Sequence, residues 1–243
     1  MKWGALFPGQ GSQSVGTGKF LFGEFQTARH LFEEAGDALK QDMKKLCFEG
    51  PESELQLTEN TQPALVLVST VTARVAHEAT GVQIDAGSGH SVGEYAALVH
   101  AGVLQFTDAL QAVRARGRAM QKAVPVGQGA MCAVLGLQDD VVKKLCAEVE
   151  KASGFPLEPA NFNSPGQVVV SGSAKAVEWM RENVKAEWMI EKFGPDSGKP
   201  KFIPLAVSAP FHCRLMKPAE EEMAIVLKGI SFSAPKTAVV QNL

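Results

Sequence analysis

The sequence predicts an α/β protein in which a parallel-sheet core carries a smaller inserted domain. The chain has 243 residues, which is enough for one large domain and a small second one. In the first half, short apolar runs end in glycine-rich loops that helical patterns follow. Residues 126–202 show a different order, β-α-β-β-α-β. We therefore expect a core formed by residues 1–125 and 203–243, with residues 126–202 as the inserted domain.

The first elements of the core are a buried strand and two helices. Residues 3–7 form an apolar run that stops at Pro-Gly, which predicts a strand leading into a glycine-rich loop. A helical pattern covers residues 28–39. The apolar segment 64–76 follows Pro63, and proline in a first helical turn is typical of a buried helix that starts there.

A strand, a tight turn and a helix come next along the core. Residues 84–89 predict a weak strand, and residues 92–103 predict a helix of small side chains that Gly102 ends. A second helix is expected from Thr107, a good N-cap residue, to Pro125. This succession is the usual local order of a parallel α/β sheet.

The inserted segment is predicted to be a ferredoxin-like domain, because its elements follow the split βαβ order. Strands are expected at 130–137, 157–162, 167–171 and 202–207, and helices at 139–151 and 174–186. The stretch 191–201 contains two glycines and two prolines, so we expect a loop there.

Composition and charge exclude several classes of protein. Lys and Arg number 24 against 26 Asp and Glu, so no basic field is available to bind nucleic acid. The four cysteines are scattered without a C-x-x-C spacing, which argues against a metal site or a disulfide framework and fits the cytoplasm. No apolar stretch approaches the roughly 18 residues of a membrane span. We therefore expect a cytoplasmic protein that uses neither metal, membrane nor nucleic acid.

The sequence Gly89-His90-Ser91-Val92-Gly93 lies between the predicted strand and helix of the core. The pattern G-x-S-x-G in this position is typical of a nucleophile elbow, where glycines permit a sharp turn and the serine projects from its tip. The following helix N-terminus stabilises negative charge. The core is accordingly expected to be hydrolase-like, and the alternative is a glycine-rich turn with an incidental serine.

A serine hydroxyl needs a base within hydrogen-bond reach to act as a nucleophile. Three of the five histidines fall in helical patterns, and His90 is expected to point away from its neighbour Ser91. His212 follows the predicted strand 202–207, in a position where loops of open α/β sheets present catalytic groups. The alternative is a packed loop histidine. Since no Asp or Glu stands out as a third member, we expect a dyad oriented by a backbone carbonyl.

Six segments in order along the chain resemble malonyl-CoA:acyl carrier protein transacylases, which load malonyl groups in bacterial type II fatty acid synthesis. The resemblance rests on Phe7-Pro-Gly-Gln-Gly-Ser-Gln13, Thr61-Gln-Pro-Ala64, Gly89-His-Ser-Val-Gly-Glu-Tyr95, Arg116-Gly117, Asn161-Phe-Asn-Ser-Pro-Gly-Gln167 and Ala209-Pro-Phe-His212. It covers essentially the whole chain, which makes it far more specific than any one motif.

The resemblance implies roles for five positions of this sequence. Ser91 is the implied nucleophile, and His212 is its general base and acid. Gln10 lies beside the implied oxyanion hole, which includes the backbone amide of Val92. Arg116 is implied to bind the malonyl carboxylate, through the two parallel hydrogen bonds that a planar guanidinium can donate.

Two points stay open at the substrate site. Helical spacing alone leaves both Arg114 and Arg116 as candidates, and only the Arg-Gly pairing of the family favours Arg116. In related polyketide acyltransferases, a Phe before the histidine accompanies malonyl selection. The resemblance therefore implies that Phe211 crowds the malonyl α-carbon, although this ring could instead simply pack the loop that carries His212.

The implied activity is transfer of malonyl from malonyl-CoA to the phosphopantetheine thiol of acyl carrier protein, by a monomer without metal or redox cofactor. Family members continue well past the strand that Ala238–Asn242 resembles, and that later segment supplies a glutamine carbonyl that orients the histidine. Since this sequence ends at Leu243, we expect the large domain to be incomplete at its C-terminus. The alternatives are a serine esterase or thioesterase, and a truncated inactive form that only binds carrier protein or coenzyme A.

Overall fold

A computed structural model describes residues 2–207 and 209–242. The chain divides into two compact units. The first comprises Met1–Arg118 and Met223–Leu243, and the second comprises Ala119–Glu222. Each unit has its own sheet and its own apolar core.

The first unit is built on a parallel sheet of three strands. The strands are β1 (Gly4–Phe7), β2 (Ala86–Gly89) and β7 (Ala238–Val240), in the order β1-β2-β7. Phe7 pairs with Gly89 at the end of the first ladder, and Ser88 pairs with Val240 at the end of the second. Because β2 is the central strand, the residues that follow Gly89 lie at the carboxyl edge of the sheet, where open α/β sheets place ligands.

Helices of the first unit supply most of its core. They are α1 (Lys19–Glu24), α2 (Gln26–Leu39), α3 (Met43–Phe48), α4 (Glu52–Leu55), α5 (Thr58–Thr80), α6 (Gly93–His100) and α7 (Phe106–Ala123), whose last turn falls in the second unit. Leu31, Phe32, Leu67 and Leu110 are among the fully buried side chains of this core. The short helices α1, α3 and α4 were not predicted, since six or fewer residues give too little periodicity.

Helix α5 begins earlier than its sequence predicts. It starts at Thr58, so Pro63 lies beyond the first turn. Polar groups of the added turn find local partners: the Thr61 hydroxyl donates to the Leu55 carbonyl at 2.6 Å, and the Asn60 amide donates to the Glu54 carbonyl at 2.9 Å. These bonds stabilise the N-terminal turn well enough for the helix to continue through a proline, which lacks the N–H for one backbone bond.

The second unit is an antiparallel four-stranded sheet covered by helices. Its strands are β3 (Gly129–Leu135), β4 (Leu157–Ser164), β5 (Gln167–Ser173) and β6 (Lys201–Pro204), in the order β4-β5-β3-β6. Its helices are α8 (Asp139–Ser153), α9 (Ala174–Asn183), α10 (Ala186–Phe193), the 3-10 turn Arg214–Met216 and α11 (Lys217–Lys228), which ends in the first unit. The strand order is that of a ferredoxin-like domain, which confirms the predicted fold class.

Two element boundaries in this unit differ from the prediction. Helix α9 ends at Asn183, and the separate helix α10 occupies part of the predicted loop. Met189 is fully buried, and Trp188 packs edge-on against Trp179 at 6.2 Å between ring centroids. These apolar contacts order residues 187–190, to which the sequence assigns no element, and the helix continues to Phe193, three residues into the predicted loop 191–201. The last strand is also shorter than expected, because the N–H of Val207 donates to the carbonyl of Leu205 within its own segment.

Candidate active site

Ser91 occupies the tip of a sharp turn between strand β2 and helix α6. Its backbone φ is +52°, in the left-handed region. A residue other than glycine pays about 1–2 kcal/mol for this conformation, so the surrounding structure must hold it there. Strain of this kind at a half-buried turn between a strand and a helix is typical of a nucleophile elbow.

The glycines on either side of Ser91 allow three backbone segments to touch. A Cβ at Gly89 would lie 2.0 Å from the Gly93 carbonyl carbon, and a Cβ at Gly93 would lie 2.3 Å from the Phe7 carbonyl oxygen. Strand β2, helix α6 and the end of strand β1 therefore approach more closely than any side chain would permit. The G-x-S-x-G spacing is a steric requirement of this turn.

Arg116 reaches the hydroxyl of Ser91 from helix α7. Its Nη2 donates to Ser91 Oγ at 3.1 Å, and its Nη1 donates to Gln62 Oε1 at 2.9 Å. Gln62 is 1% exposed and lies on helix α5, in the Thr-Gln-Pro segment quoted above. The guanidinium is thus held beside the hydroxyl by a buried amide, a role for Gln62 that the sequence did not reveal.

Gly117 explains why Arg116 can reach this position. A Cβ at Gly117 would lie 2.6 Å from the Glu59 Cα atom and 2.7 Å from the Thr58 carbonyl oxygen. The backbones of α5 and α7 are therefore in contact at this point, which brings the residue before Gly117 to Gln62. The Arg-Gly pairing has a physical reason, namely close helix packing beside the site.

The neighbouring arginines on helix α7 point elsewhere. Arg114 donates to the side-chain carbonyl of Gln41. Arg118 forms an exposed ion pair with Glu59 at 2.6 Å. Helical spacing leaves Arg114 and Arg116 as alternatives, and the hydrogen bond to Ser91 distinguishes Arg116 from Arg114.

Burial shapes the electrostatics around this arginine. Desolvation lowers the pKa of Arg116, while the nearby Tyr95 and Glu94 act in the opposite direction. A guanidinium stays protonated at any ordinary pH, so the group is a partly desolvated cation. Burial also raises the pKa of the Tyr95 phenol, which keeps that group neutral. A desolvated cation next to a serine hydroxyl favours an acyl group that carries a negative charge.

Gln10 and Val92 lie in the same unit as Ser91. The Gln10 amide donates to the Thr58 hydroxyl at 3.3 Å, which ties the first glycine-rich loop to the start of helix α5. Val92 is buried and is the N-cap residue of α6, where helix N–H groups lack intrahelical acceptors. The Ser91 N–H donates to the side chain of Asn242 at 3.2 Å, a contact that spans 151 residues.

His212 and Phe211 belong to the second unit. Phe211 is 6% exposed and packs in a cluster of that unit with Met120, Met131 and Met216 among others. His212 follows with a backbone φ of +60°, which makes it, like Ser91, a residue in the left-handed region.

Contacts on both sides fix the loop that carries His212. A Cβ at Gly129 would lie 2.2 Å from the Pro210 ring, so the loop packs directly on the start of β3. Arg214 pairs with Glu158 at 2.7 Å and also with Glu150. The hydrogen bond from Arg214 lowers the pKa of the Glu150 carboxyl. No local pattern could indicate this anchor, because the partners of Arg214 are 56 and 64 residues away.

The described residues hold neither a metal-binding cluster nor a membrane-spanning helix. Within residues 2–207 and 209–242, no group of three or more His, Cys, Asp and Glu side chains is arranged to hold a metal ion. Over the same residues, no helix has the length and apolar character needed to cross a membrane.

Comparison with known proteins places these features in one family. Residues 6–241 match the family described as acyl transferase domain. The malonyl CoA-acyl carrier protein transacylase of Salmonella typhimurium is 44% identical over 238 residues, which cover 98% of this chain and 73% of the relative. The solved structure of the Coxiella burnetii enzyme of that name has a TM-score of 0.90 at 37% identity, covering 100% of this chain and 73% of the other.

A third similar protein was solved with a partner. It is a malonyl-transacylase in complex with its type II polyketide synthase acyl-carrier protein, with a TM-score of 0.89 and 42% identity, covering 100% of this chain and 75% of the other. Given this identity over nearly its full length, the chain belongs to the acyl transferase family, within the group of malonyl-CoA:acyl carrier protein transacylases.

Proposed function

We propose that this chain transfers malonyl from malonyl-CoA to the phosphopantetheine thiol of acyl carrier protein, in fatty acid synthesis, through a malonyl ester on Ser91. One observation carries the proposal: the guanidinium of Arg116 lies 3.1 Å from the hydroxyl of a strained serine at the tip of an elbow. A nucleophile beside a fixed cation suits an acyl group that ends in a carboxylate. The names of the relatives support the same reaction.

In the first half-reaction, His212 removes the Ser91 proton and Oγ attacks the thioester carbonyl of malonyl-CoA. The carbonyl oxygen becomes an oxyanion, which backbone amides near Val92 and Gln10 stabilise. Collapse of this intermediate breaks the carbon–sulfur bond, and the coenzyme A thiolate takes the proton from His212. The products are malonyl-Ser91 and free coenzyme A.

The second half-reaction repeats these steps with a different nucleophile. His212 removes the proton of the phosphopantetheine thiol, whose sulfur attacks the malonyl ester. The second tetrahedral intermediate collapses, and Ser91 recovers its proton from the histidine. Water in place of the thiol would give hydrolysis. Transfer therefore requires that water be kept from the malonyl ester until the carrier protein binds.

Arg116 selects the acyl group. In malonyl-Ser91 one methylene separates the ester carbonyl from the carboxylate, a short distance that a guanidinium already next to Oγ can span. Two parallel N–H donors then fix the carboxylate, and Gln62 holds the guanidinium in place. An acetyl group offers no partner for this cation.

The proposal also covers the cofactors, the compartment and the oligomeric state of the enzyme. None of these steps calls for a metal or a redox cofactor, and the chain is proposed to act as a cytoplasmic monomer. Its four cysteines are free thiols, which fits a reducing compartment. Size-exclusion chromatography with light scattering tests the monomer, and a mass near 25.9 kDa is expected.

A single mixing experiment tests the function. The chain is incubated with malonyl-CoA and phosphopantetheinylated carrier protein, and both proteins are weighed by intact mass spectrometry. Transfer adds a malonyl group to the carrier; release of malonate alone would indicate an esterase or thioesterase, and no turnover would indicate a binding protein.

Two serine variants locate the acyl group. Ser91→Ala should form no malonyl adduct while keeping its circular dichroism spectrum. Ser88→Ala, on strand β2 three residues before Ser91, should be acylated normally, since the Ser88 hydroxyl contacts the carbonyl of Val240. A malonyl adduct that persists on Ser91→Ala would refute the proposed nucleophile.

A further inference from the structure

Asn242 binds all three parts of the nucleophile elbow. Its side-chain oxygen accepts from the Ser91 N–H at 3.2 Å, and its side-chain NH2 donates to the Gly89 carbonyl at 2.7 Å. The same NH2 also donates to the Glu94 carboxylate, which accepts a second bond from the Asn242 backbone N–H at 2.8 Å. One residue therefore connects the end of β2, the tip of the turn and the first turn of α6.

The topology explains why Asn242 reaches this place. Strand β7 runs parallel to β2 with Val240 opposite Ser88. Residues after Val240 therefore leave the sheet at the same carboxyl edge as the elbow. At this edge a short polar side chain can reach the backbone of its neighbour, as asparagine commonly does.

The contact with the Ser91 N–H has a chemical consequence. Ser91 holds a φ of +52°, and a hydrogen bond to its N–H fixes that peptide group in orientation. The same bond engages the Ser91 amide, which leaves the next amide, that of Val92, as the backbone donor for an oxyanion. Both the direction of Oγ and the identity of the oxyanion donor thus depend on this neighbour.

We propose that Asn242 is a positioning residue that holds the elbow in its strained, reactive conformation. This inference rests on the proposed role of Ser91 as the acylated nucleophile. Asn242 acts through the backbone of Ser91 and through Glu94.

The arrangement requires an amide at position 242, because both an acceptor and a donor are used. Asn242→Asp keeps an acceptor for Ser91 but loses the donor, and it places a second carboxylate against Glu94. The double variant Asn242→Asp with Glu94→Gln restores the hydrogen bond between positions 242 and 94 with the roles exchanged, while the bond to the Gly89 carbonyl stays lost. Glu94→Gln alone keeps an acceptor for Asn242, and its rate is the reference with which the double variant is compared.

The test is the rate of malonyl-Ser91 formation after rapid mixing with malonyl-CoA, read by quenching and intact mass. Asn242→Ala and Asn242→Asp should slow acylation by about 10- to 100-fold, which corresponds to losing one or two net hydrogen bonds. The KM for malonyl-CoA should stay within about twofold, since Arg116 still binds the carboxylate. The double variant should form malonyl-Ser91 about tenfold faster than Asn242→Asp alone.

An independent probe and a matched control complete the design. Labelling of Ser91 by a serine-directed organophosphorus reagent should slow in parallel, since that reagent needs no carboxylate site. Gln241→Ala removes an exposed amide one residue earlier and should acylate at the normal rate. Thermal unfolding of every variant is measured alongside.

The outcomes separate this inference from the function on which it rests. Acylation of both Asn242 variants at the normal rate would overturn the positioning role, and so would a loss that the double variant does not recover. A Ser91→Ala chain that still becomes acylated would refute the proposed function itself.

Discussion

At the scale of single residues, the proposed charge selection at Ser91 depends on the guanidinium of Arg116. Arg116→Ala should reduce kcat/KM for malonyl-CoA far more than for acetyl-CoA, because only malonyl presents a carboxylate. A charge-assisted hydrogen bond contributes about 1.5–3 kcal/mol, so the preference should fall by roughly ten- to a hundredfold. Steady-state kinetics with both substrates measure this ratio.

The other arginines of helix α7 are the controls for that experiment. Arg118→Ala removes an exposed ion pair with Glu59 and should leave the ratio unchanged. Arg114→Ala removes a contact with Gln41 and is expected to alter stability rather than selectivity. A larger change of ratio at Arg114 than at Arg116 would show that the wrong arginine has been assigned to the carboxylate.

Phe211 is the residue whose role is least determined by its motif. Because its ring is buried among side chains of the second unit, we expect it to pack the loop of His212. Phe211→Ser should then lower the free energy of unfolding by about 3 kcal/mol or more, and reduce kcat/KM for malonyl-CoA and methylmalonyl-CoA together. Denaturant unfolding and competition between the two substrates measure both effects.

The control for this position keeps its apolar volume. Phe211→Leu should restore most of the stability while leaving the substrate ratio as it is. If Phe211→Ser instead raises methylmalonyl use relative to malonyl use, the ring sorts substrates by crowding the α-carbon.

The residue scale also shows how far sequence reasoning extends. Ser91 could be recognised because glycine spacing and neighbouring elements are local features. Gln62 and Asn242 could not, since their partners lie 54 and 151 residues away and no local pattern records such a contact. The signal available for Gln62 was its place in Thr61-Gln-Pro-Ala64, one of the segments that carry the family resemblance.

At the scale of elements, the packing of α7 on α5 depends on Gly117. Gly117→Ala should destabilise the protein by about 3 kcal/mol and weaken malonyl selectivity, because the added methyl would overlap backbone atoms of Glu59 and Thr58. Separation of the helices would move Arg116 away from Ser91. Urea unfolding and the malonyl-to-acetyl ratio are the two measurements.

Gly23 provides the matched control for this substitution. It lies inside helix α1, and a Cβ built there meets nothing within 4 Å. Gly23→Ala should therefore stabilise the chain by about 0.5–1 kcal/mol through helix propensity. Equal effects at the two glycines would mean that the α5–α7 contact is looser than described.

The elements predicted best are those whose local apolar pattern agrees with their packing in the folded protein. Strands β3 and β5 have apolar runs, and β4 and β5 are neighbours along the chain joined by a short turn. Helix α10 was missed because its order comes from Trp188 and Met189 packing into the second core, whereas Gly194 and Pro195 follow it directly. Tertiary burial decided the structure there, against the local signal.

At the scale of the whole molecule, three buried cysteines can report on the unfolding of the two cores. Burial raises the pKa of Cys47 and of Cys146 to about 12, and that of Cys132 to about 11. Only the thiolate reacts with alkylating reagents, so these thiols should be inert in the native protein at pH 8. On unfolding, the pKa returns to about 8.5 and the thiols become reactive.

Because Cys47 lies in the first unit and Cys132 and Cys146 in the second, pulsed labelling can follow each core separately. Each unit has its own sheet and apolar cluster, so we expect two transitions when the chain is titrated with urea. Brief iodoacetamide pulses, followed by peptide mass spectrometry, should give one midpoint for Cys47 and a different, shared midpoint for Cys132 and Cys146. Labelling of all three thiols at a single midpoint would show that the two units unfold as one cooperative body.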